Sequence, residues 1–152
     1  MTDVARSIVL SGVAHRFRGT NTDALADITT ELPTGEVLGL VGPDGAGKTT
    51  LLRLVAGLLK PSRGTIAVKG LDPARSPAAV RAILGYMPQK FGLYEDLTVR
   101  ENLDLYADLR GVIGEERTTT FARLLQFTSL APFTARPAGK LSGGMKQKLG
   151  LA

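Results

Sequence analysis

The sequence has no cysteine, no tryptophan and a single histidine, and aromatic residues make up only 5% of it. Without cysteine, disulfides and thiolate metal sites are excluded, and the redox compartment is left open. No apolar run approaches the roughly 20 residues needed to cross a bilayer. The N-terminal Met1-Thr-Asp-Val-Ala-Arg lacks the apolar stretch of a secretory signal. The chain is therefore expected to be soluble and cytoplasmic, with any membrane role supplied by a partner. Long runs of like charge are also missing. The net charge of +5 is scattered, which suits an anionic ligand but reads first as a solvated basic surface rather than a nucleic-acid face.

What is present is ordinary globular composition, 43% hydrophobic and 22% charged over 152 residues, enough for one modest domain and too little for two. Ile8–Leu10 and Val13–Phe17 read as short strands split by Ser11-Gly12. Leu25–Leu32 reads as another, closed by Pro33-Thr34-Gly35. Val37–Val41 is a continuous apolar run between glycines, the pattern of a strand buried on both faces of a parallel sheet. Helical periodicity starts at Lys48, places Leu51, Leu52, Val55, Leu58 and Leu59 on one side, and stops before Pro61. Gly64–Lys69 reads as a strand, Pro77–Ala82 as a short helix and Ile83–Met87 as a strand. Beyond Pro88 the pattern turns helical. Thr98-Val-Arg-Glu101 fits a capping box, opening a helix that stops at Gly111. A second helix spans about Glu115–Phe127, and Pro132 and Pro137 mark a loop. His15, the lone histidine, reads as a surface strand residue.

The strongest chemical signal is Gly42-Pro-Asp-Gly-Ala-Gly-Lys-Thr49, a G-x-x-x-x-G-K-[ST] sequence between a strand pattern and a helix pattern. Its glycines let successive N–H groups turn inward around phosphates, and the helix that follows points its positive end at the same place. Lys48 would reach the β- and γ-phosphates, and the Thr49 hydroxyl would ligate Mg²⁺. This alone says nucleoside triphosphate. A second constellation, Leu141-Ser-Gly-Gly-Met145, has matching logic: Ser142 caps a helix, and Gly143 and Gly144 bare the backbone for a phosphate. Taken alone it also reads as a plain loop.

Together the two motifs resemble the P-loop and signature loop of ABC transporter ATP-binding subunits, and the resemblance covers essentially the whole chain. Gly85-Tyr-Met-Pro-Gln-Lys-Phe-Gly-Leu-Tyr-Glu-Asp-Leu-Thr-Val99 is especially similar to the N-terminal nucleotide-binding half of YbhF-type drug and antibiotic exporters. The resemblance implies an α/β P-loop NTPase fold, a RecA-like core with an antiparallel β subdomain, followed by the ABC helical subdomain. About 1–88 would form the core and β subdomain, about 89–140 the helical subdomain, and 141–152 the signature loop and the start of its helix.

The resemblance also implies the site. ATP would lie on Phe17, which stacks on adenine, and on the cradle residues Gly42, Pro43, Asp44, Gly45, Ala46, Gly47, Lys48, Thr49 and Thr50. Gln89 and the signature residues Ser142, Gly143 and Gly144 complete the set. Mg²⁺ would sit on Thr49 and Gln89, and Lys48, Ser142 and Gly144 would carry the catalytic roles. Read singly, Phe17 also fits an ordinary strand-end core residue, Gln89 a surface loop residue, and Phe91, Leu93 and Tyr94 core. In the family, that last segment faces the membrane subunit.

Three departures stand out: Asp44 where the family usually has Asn, Met145 for Gln, and Phe17 for Tyr. The first adds a negative charge beside the cradle; the last keeps the ring that stacking needs. The implied function is ATP binding and hydrolysis powering export of small molecules across the bacterial inner membrane. The implied partners are transmembrane permease subunits and a second nucleotide-binding domain, head to tail, with no nucleic acid. The alternative is a soluble ABC ATPase acting on nucleic acid or ribosomes. A chain that stops inside an uncapped helix reads as cut short before the family's Asp-Glu strand, D-loop and switch histidine. These 152 residues alone are therefore expected to bind ATP without sustained turnover.

Overall fold

The computed structural model describes residues 6–89 and 92–152. The chain forms two compact units, Met1–Tyr86 and Met87–Ala152.

In the first unit, strands β1 (Arg6–His15), β2 (Leu25–Pro33) and β3 (Arg63–Val68) form an antiparallel sheet in the order β2-β1-β3. The two short strands read around Ser11-Gly12 are one. The register slips between Leu10 and Val13, with Gly12 at φ 59° and its N–H donating to Thr29 Oγ1 at 2.9 Å. A bulge of this kind absorbs the extra residue while the strand continues. It brings both Leu10 and Val13 into the core with Leu54, Ile66, Val68 and Val80. Fully burying one such side chain is worth roughly 1.5–3 kcal/mol.

Helix α1 (Lys48–Val55) begins where the periodicity places it but ends well before Pro61. Gly57 takes φ +67°, its N–H bonds to Leu54 O at 3.1 Å, and the Leu58 N–H bonds to Arg53 O at 2.9 Å. These two bonds close a Schellman turn, so a glycine ends the helix before the proline can. Leu54 and Val55 face the core, while Leu52 is half exposed.

Helix α2 (Pro77–Ile83) takes in Ile83. Neither of the other two apolar segments forms a strand among the described residues: no ladder includes 37–41 or 84–87. Val37 is 103% exposed and Val41 92%. A strand of this type exists only through its neighbours' N–H and C=O groups, and an apolar run alone cannot supply them.

The second unit is helical: α3 (Val99–Arg110), α4 (Gly114–Thr128) and α5 (Gly143–Leu151), with short 3₁₀ turns at Ala131–Phe133 and Ala138–Lys140. Its core gathers Val99, Leu103, Phe121, Leu125, Leu130, Leu141 and Leu149. The capping box forms as read. Thr98 N donates to Glu101 Oε2 at 2.8 Å and Glu101 N to Thr98 Oγ1 at 3.2 Å, while Gly111 ends α3 at φ 70°. Arg117 on α4 ties back to α3 through Asp104 and Asp108, at 2.6 Å each.

Candidate phosphate-binding site

The cradle is built from the run Gly42–Thr49. Gly45 and Gly47 have φ of 79° and 83°, a region that L side chains rarely adopt. Gly47 has a second reason to be glycine. A Cβ there would collide with Ala24 O and lie 2.6 Å from Leu25 Cδ2, so the loop's last glycine packs directly on the start of β2. Gly47 is also the N-cap of α1 and offers no side-chain cap. The first-turn amides of the helix therefore point outward with no capping group to occupy them, which is the arrangement an anion uses. The Lys48 ammonium folds over the loop and donates to Gly42 O and Pro43 O, both at 2.7 Å. With three donors on an ammonium, one remains for a ligand. Thr49 is exposed at the cradle, and Ala46 N bonds to Pro43 O at 3.3 Å.

Phe17 lies just beyond β1 in the same unit and is 41% exposed, so it is not the core residue that one reading allowed. Its carbonyl accepts from Thr20 N at 3.3 Å and Thr20 Oγ1 at 2.9 Å, which fixes the turn that presents the ring. His15 departs from its surface reading: it is 8% exposed and stands edge-on to Phe17. A lone histidine in a strand gives no sign of which side it faces once a bulge resets the alternation.

In the second unit, Ser142 is the N-cap of α5, and its Oγ accepts from Met145 N at 3.3 Å. Gly143 and Gly144 are exposed, and no atom lies within 4 Å of a Cβ built on either. The backbone is thus open to a close approach from outside. An open recess of about 600 Å³ adjoins this helix start, lined by Ser142 and Gly144 among others. Gln89 belongs to this unit and is exposed. Lys90 and Phe91, which the sequence reading also drew on, lie outside the described residues.

The sequence matches the ABC transporter family over residues 25–152. The chain belongs to that family. It is 66% identical over 145 residues to the probable multidrug ABC transporter ATP-binding protein YbhF of Escherichia coli K12, covering 95% of this chain and 25% of that protein. NatA of Bacillus subtilis, an ABC transporter ATP-binding protein, is 35% identical over 148 residues, with 95% of this chain and 60% of NatA covered.

Among solved structures, an ATP-binding subunit of an ABC transporter superposes with a TM-score of 0.82 at 30% identity, over 95% of this chain and 59% of that one. The dimeric bacterial ABC transporter cassette MJ0796 superposes at 0.80 with 26% identity, over 94% and 66%. The α/β ABC cassette fold expected from the motifs is therefore the fold of this chain. The chain spans about a quarter of the length of YbhF.

Two connections in the helical unit carry no motif in the sequence. Asn102, fully buried, accepts from Tyr94 N at 2.9 Å and donates to the carbonyls of Tyr94, Leu97 and Thr98 at 3.0, 3.2 and 2.9 Å. It holds the Tyr94–Leu97 loop against the start of α3. Glu95 Oε1 pairs with Lys146 Nζ at 2.7 Å, linking the same loop to the first turn of α5. The Glu95–Lys146 pair joins residues that only the fold brings together, and the Asn102 bonds depend on the turn that the Tyr94–Leu97 backbone takes before α3.

Proposed function

We propose that this chain is part of an ATP-binding, ATP-hydrolysing subunit that powers export of small molecules, drugs among them, across the bacterial inner membrane. The observation that carries the reading is the cradle: Lys48 held over a loop of left-handed glycines, at a helix N-terminus with no side-chain cap. Its relatives' names supply the transport context, since YbhF is named as a probable multidrug ABC transporter ATP-binding protein.

In this reading ATP lies with its phosphates on Gly42–Thr50 and its adenine on Phe17. The residues also fit Mg²⁺. Among the described residues no group of three His, Cys, Asp or Glu side chains could cage a metal. Mg²⁺ commonly takes few protein ligands and fills its shell with phosphate oxygens and water. Thr49, exposed at the cradle, would hold it here, and the family resemblance alone assigns Gln89 as a further protein contact; the ion's contribution is neutralisation of phosphate charge. Residues of about 1–88 serve as nucleotide core and β subdomain, and those of about 89–140 as helical subdomain. Ser142, Gly143 and Gly144 close on the γ-phosphate of a second copy, head to tail. The exposed Tyr94 and its neighbours up to Leu97 face a transmembrane permease at the cytoplasmic side of the membrane. No helix among the described residues is long and apolar enough to cross a membrane itself.

The test is calorimetric titration of the full-length gene product with Mg-ATP. Lys48→Ala removes the main positive charge in the cradle, and affinity is expected to fall by about tenfold or more, or about 1.4 kcal/mol. Equal affinity of wild type and variant would overturn the reading.

A further inference from the structure

His15 is an unusual choice for the place it fills. It closes β1, is 8% exposed, and its Nδ1 lies 3.0 Å from Lys60 O. A carbonyl only accepts, so Nδ1 carries the proton and donates. Nε2 is also buried, and it has no partner in the structure. An imidazole buried with one nitrogen unsatisfied costs free energy that an aliphatic side chain of similar size would not.

What the imidazole adds is a tether and a flank. The bond to Lys60 O fixes the ring plane. The ring then stands at 86° to Phe17 with centroids 4.7 Å apart, the edge-to-face geometry that aromatic pairs prefer. A perpendicular neighbour at that distance limits how far the Phe17 ring can turn. The backbone of His15 reaches the cradle from its other side. His15 O accepts from Ala24 N at 2.8 Å, and Ala24 with Leu25 is the surface against which Gly47 packs. One residue therefore touches the aromatic ring and the support of the phosphate loop.

We infer that His15 is a positioning residue: it sets the Phe17 ring relative to the cradle, and so sets how well the base is held when the phosphates are already bound. The inference rests on the proposed reading of Phe17 as the adenine platform. It predicts an effect confined to the base. His15→Asn keeps a donor in reach of Lys60 O but removes the ring; His15→Phe keeps a ring and removes the donor.

The experiment is calorimetry on the full-length gene product with two probes, Mg-ATP and inorganic tripolyphosphate, the second carrying phosphates without a base. His15→Asn is expected to weaken ATP about threefold to tenfold and to leave tripolyphosphate within about twofold. His15→Phe is expected to retain most of the ATP affinity. In a Phe17→Ala background, His15→Asn should add nothing further. Parallel loss of ATP and tripolyphosphate overturns the inference, because it marks a general structural role. So does unchanged ATP affinity in His15→Asn, or an undiminished effect without Phe17. If Phe17→Ala itself leaves ATP affinity unchanged while Lys48→Ala lowers it, the platform reading fails, and the inference falls with it.

Discussion

The two helix starts marked for phosphate are built on opposite terms. At the head of α1 the N-cap is Gly47, in a left-handed conformation and without a side-chain bond to any first-turn amide. At the head of α5 the N-cap is Ser142, extended, with its hydroxyl on Met145 N. The first start leaves its donors without a side-chain cap, open to water or to an anion. The second satisfies one donor itself and leaves bare glycine backbone beside it. Their surroundings differ in the same direction. The segment that leads into the cradle, Val37–Val41, is exposed and outside any ladder among the described residues. The loops that lead into α5 are bonded to the loop that precedes α3, through Ala138 N to Leu97 O and Gly139 N to Glu95 O, both at 2.8 Å. The helical unit thus holds its own backbone, whereas the cradle is held from one side, by Ala24 and Leu25.

The sharpest test of that contrast is Asn102→Ala. It strips the partner from Tyr94 N, while Tyr94 O, Leu97 O and Thr98 O each lose one bond and keep another, from the backbone N–H groups of Leu97, Ala138 and Asn102 at 3.2, 2.8 and 3.0 Å. Buried groups left without partners cost about 1–3 kcal/mol each, reduced where water can enter. With one donor orphaned and a fully buried side chain truncated, a loss of roughly 2 kcal/mol in urea unfolding, monitored by helical signal, is expected. A loss no greater than that of a surface substitution would break the claim that this unit is self-supporting.

How much of this was legible in the sequence follows the range of the interactions. The capping box of Thr98 and Glu101, the Gly111 stop and the Ser142 cap were all readable, since each is settled within a few residues. The cradle's glycines were readable for the same reason. The strands expected at 37–41 and 83–87 do not form among the described residues, because an apolar pattern gives a strand's appetite for neighbours without providing them. Helix α1 ends before the stop that Pro61 implies, because the left-handed turn at Gly57 acts earlier. Among site residues the sequence marks Lys48, Thr49 and Ser142 directly. The burial of His15 against Phe17 required the bulge at Gly12 to be known first.

A smaller effect belongs to Thr98→Ala. Loss of an N-cap hydroxyl costs about 1 kcal/mol, and here it should depend on pH. The Thr98 N–H, and after it the Thr98 hydroxyl, hold the Glu101 carboxyl below its ordinary value. A depressed folded pKa gives stability that is complete above the unfolded value of about 4.3 and lost as pH falls through the folded one. The gap between wild type and Thr98→Ala should therefore stay constant from about pH 7 to 5 and narrow below about pH 4. Unfolding midpoints across that range measure it; a gap independent of pH would mean that the hydroxyl and the carboxylate act separately.

The smallest expected effect is also the one most able to undo the comparison. Val37→Thr and Val99→Thr make the same exchange of a methyl for a hydroxyl, at residues 103% and 0% exposed. At Val99 the hydroxyl enters the helical core with no partner waiting, which costs about 1–3 kcal/mol on mutational scales. At Val37 the hydroxyl stays in water, and the change should lie within about 0.5 kcal/mol of zero. Both are measured by denaturant unfolding of the 152-residue chain under one set of conditions. If Val37→Thr costs as much as Val99→Thr, the 37–41 segment is buried as its apolar pattern suggests. The cradle would then be gripped from both sides, and the contrast between the two helix starts would reduce to their caps. A null result at Val37 leaves the cradle resting on Ala24 and Leu25, where the packing of Gly47 puts it.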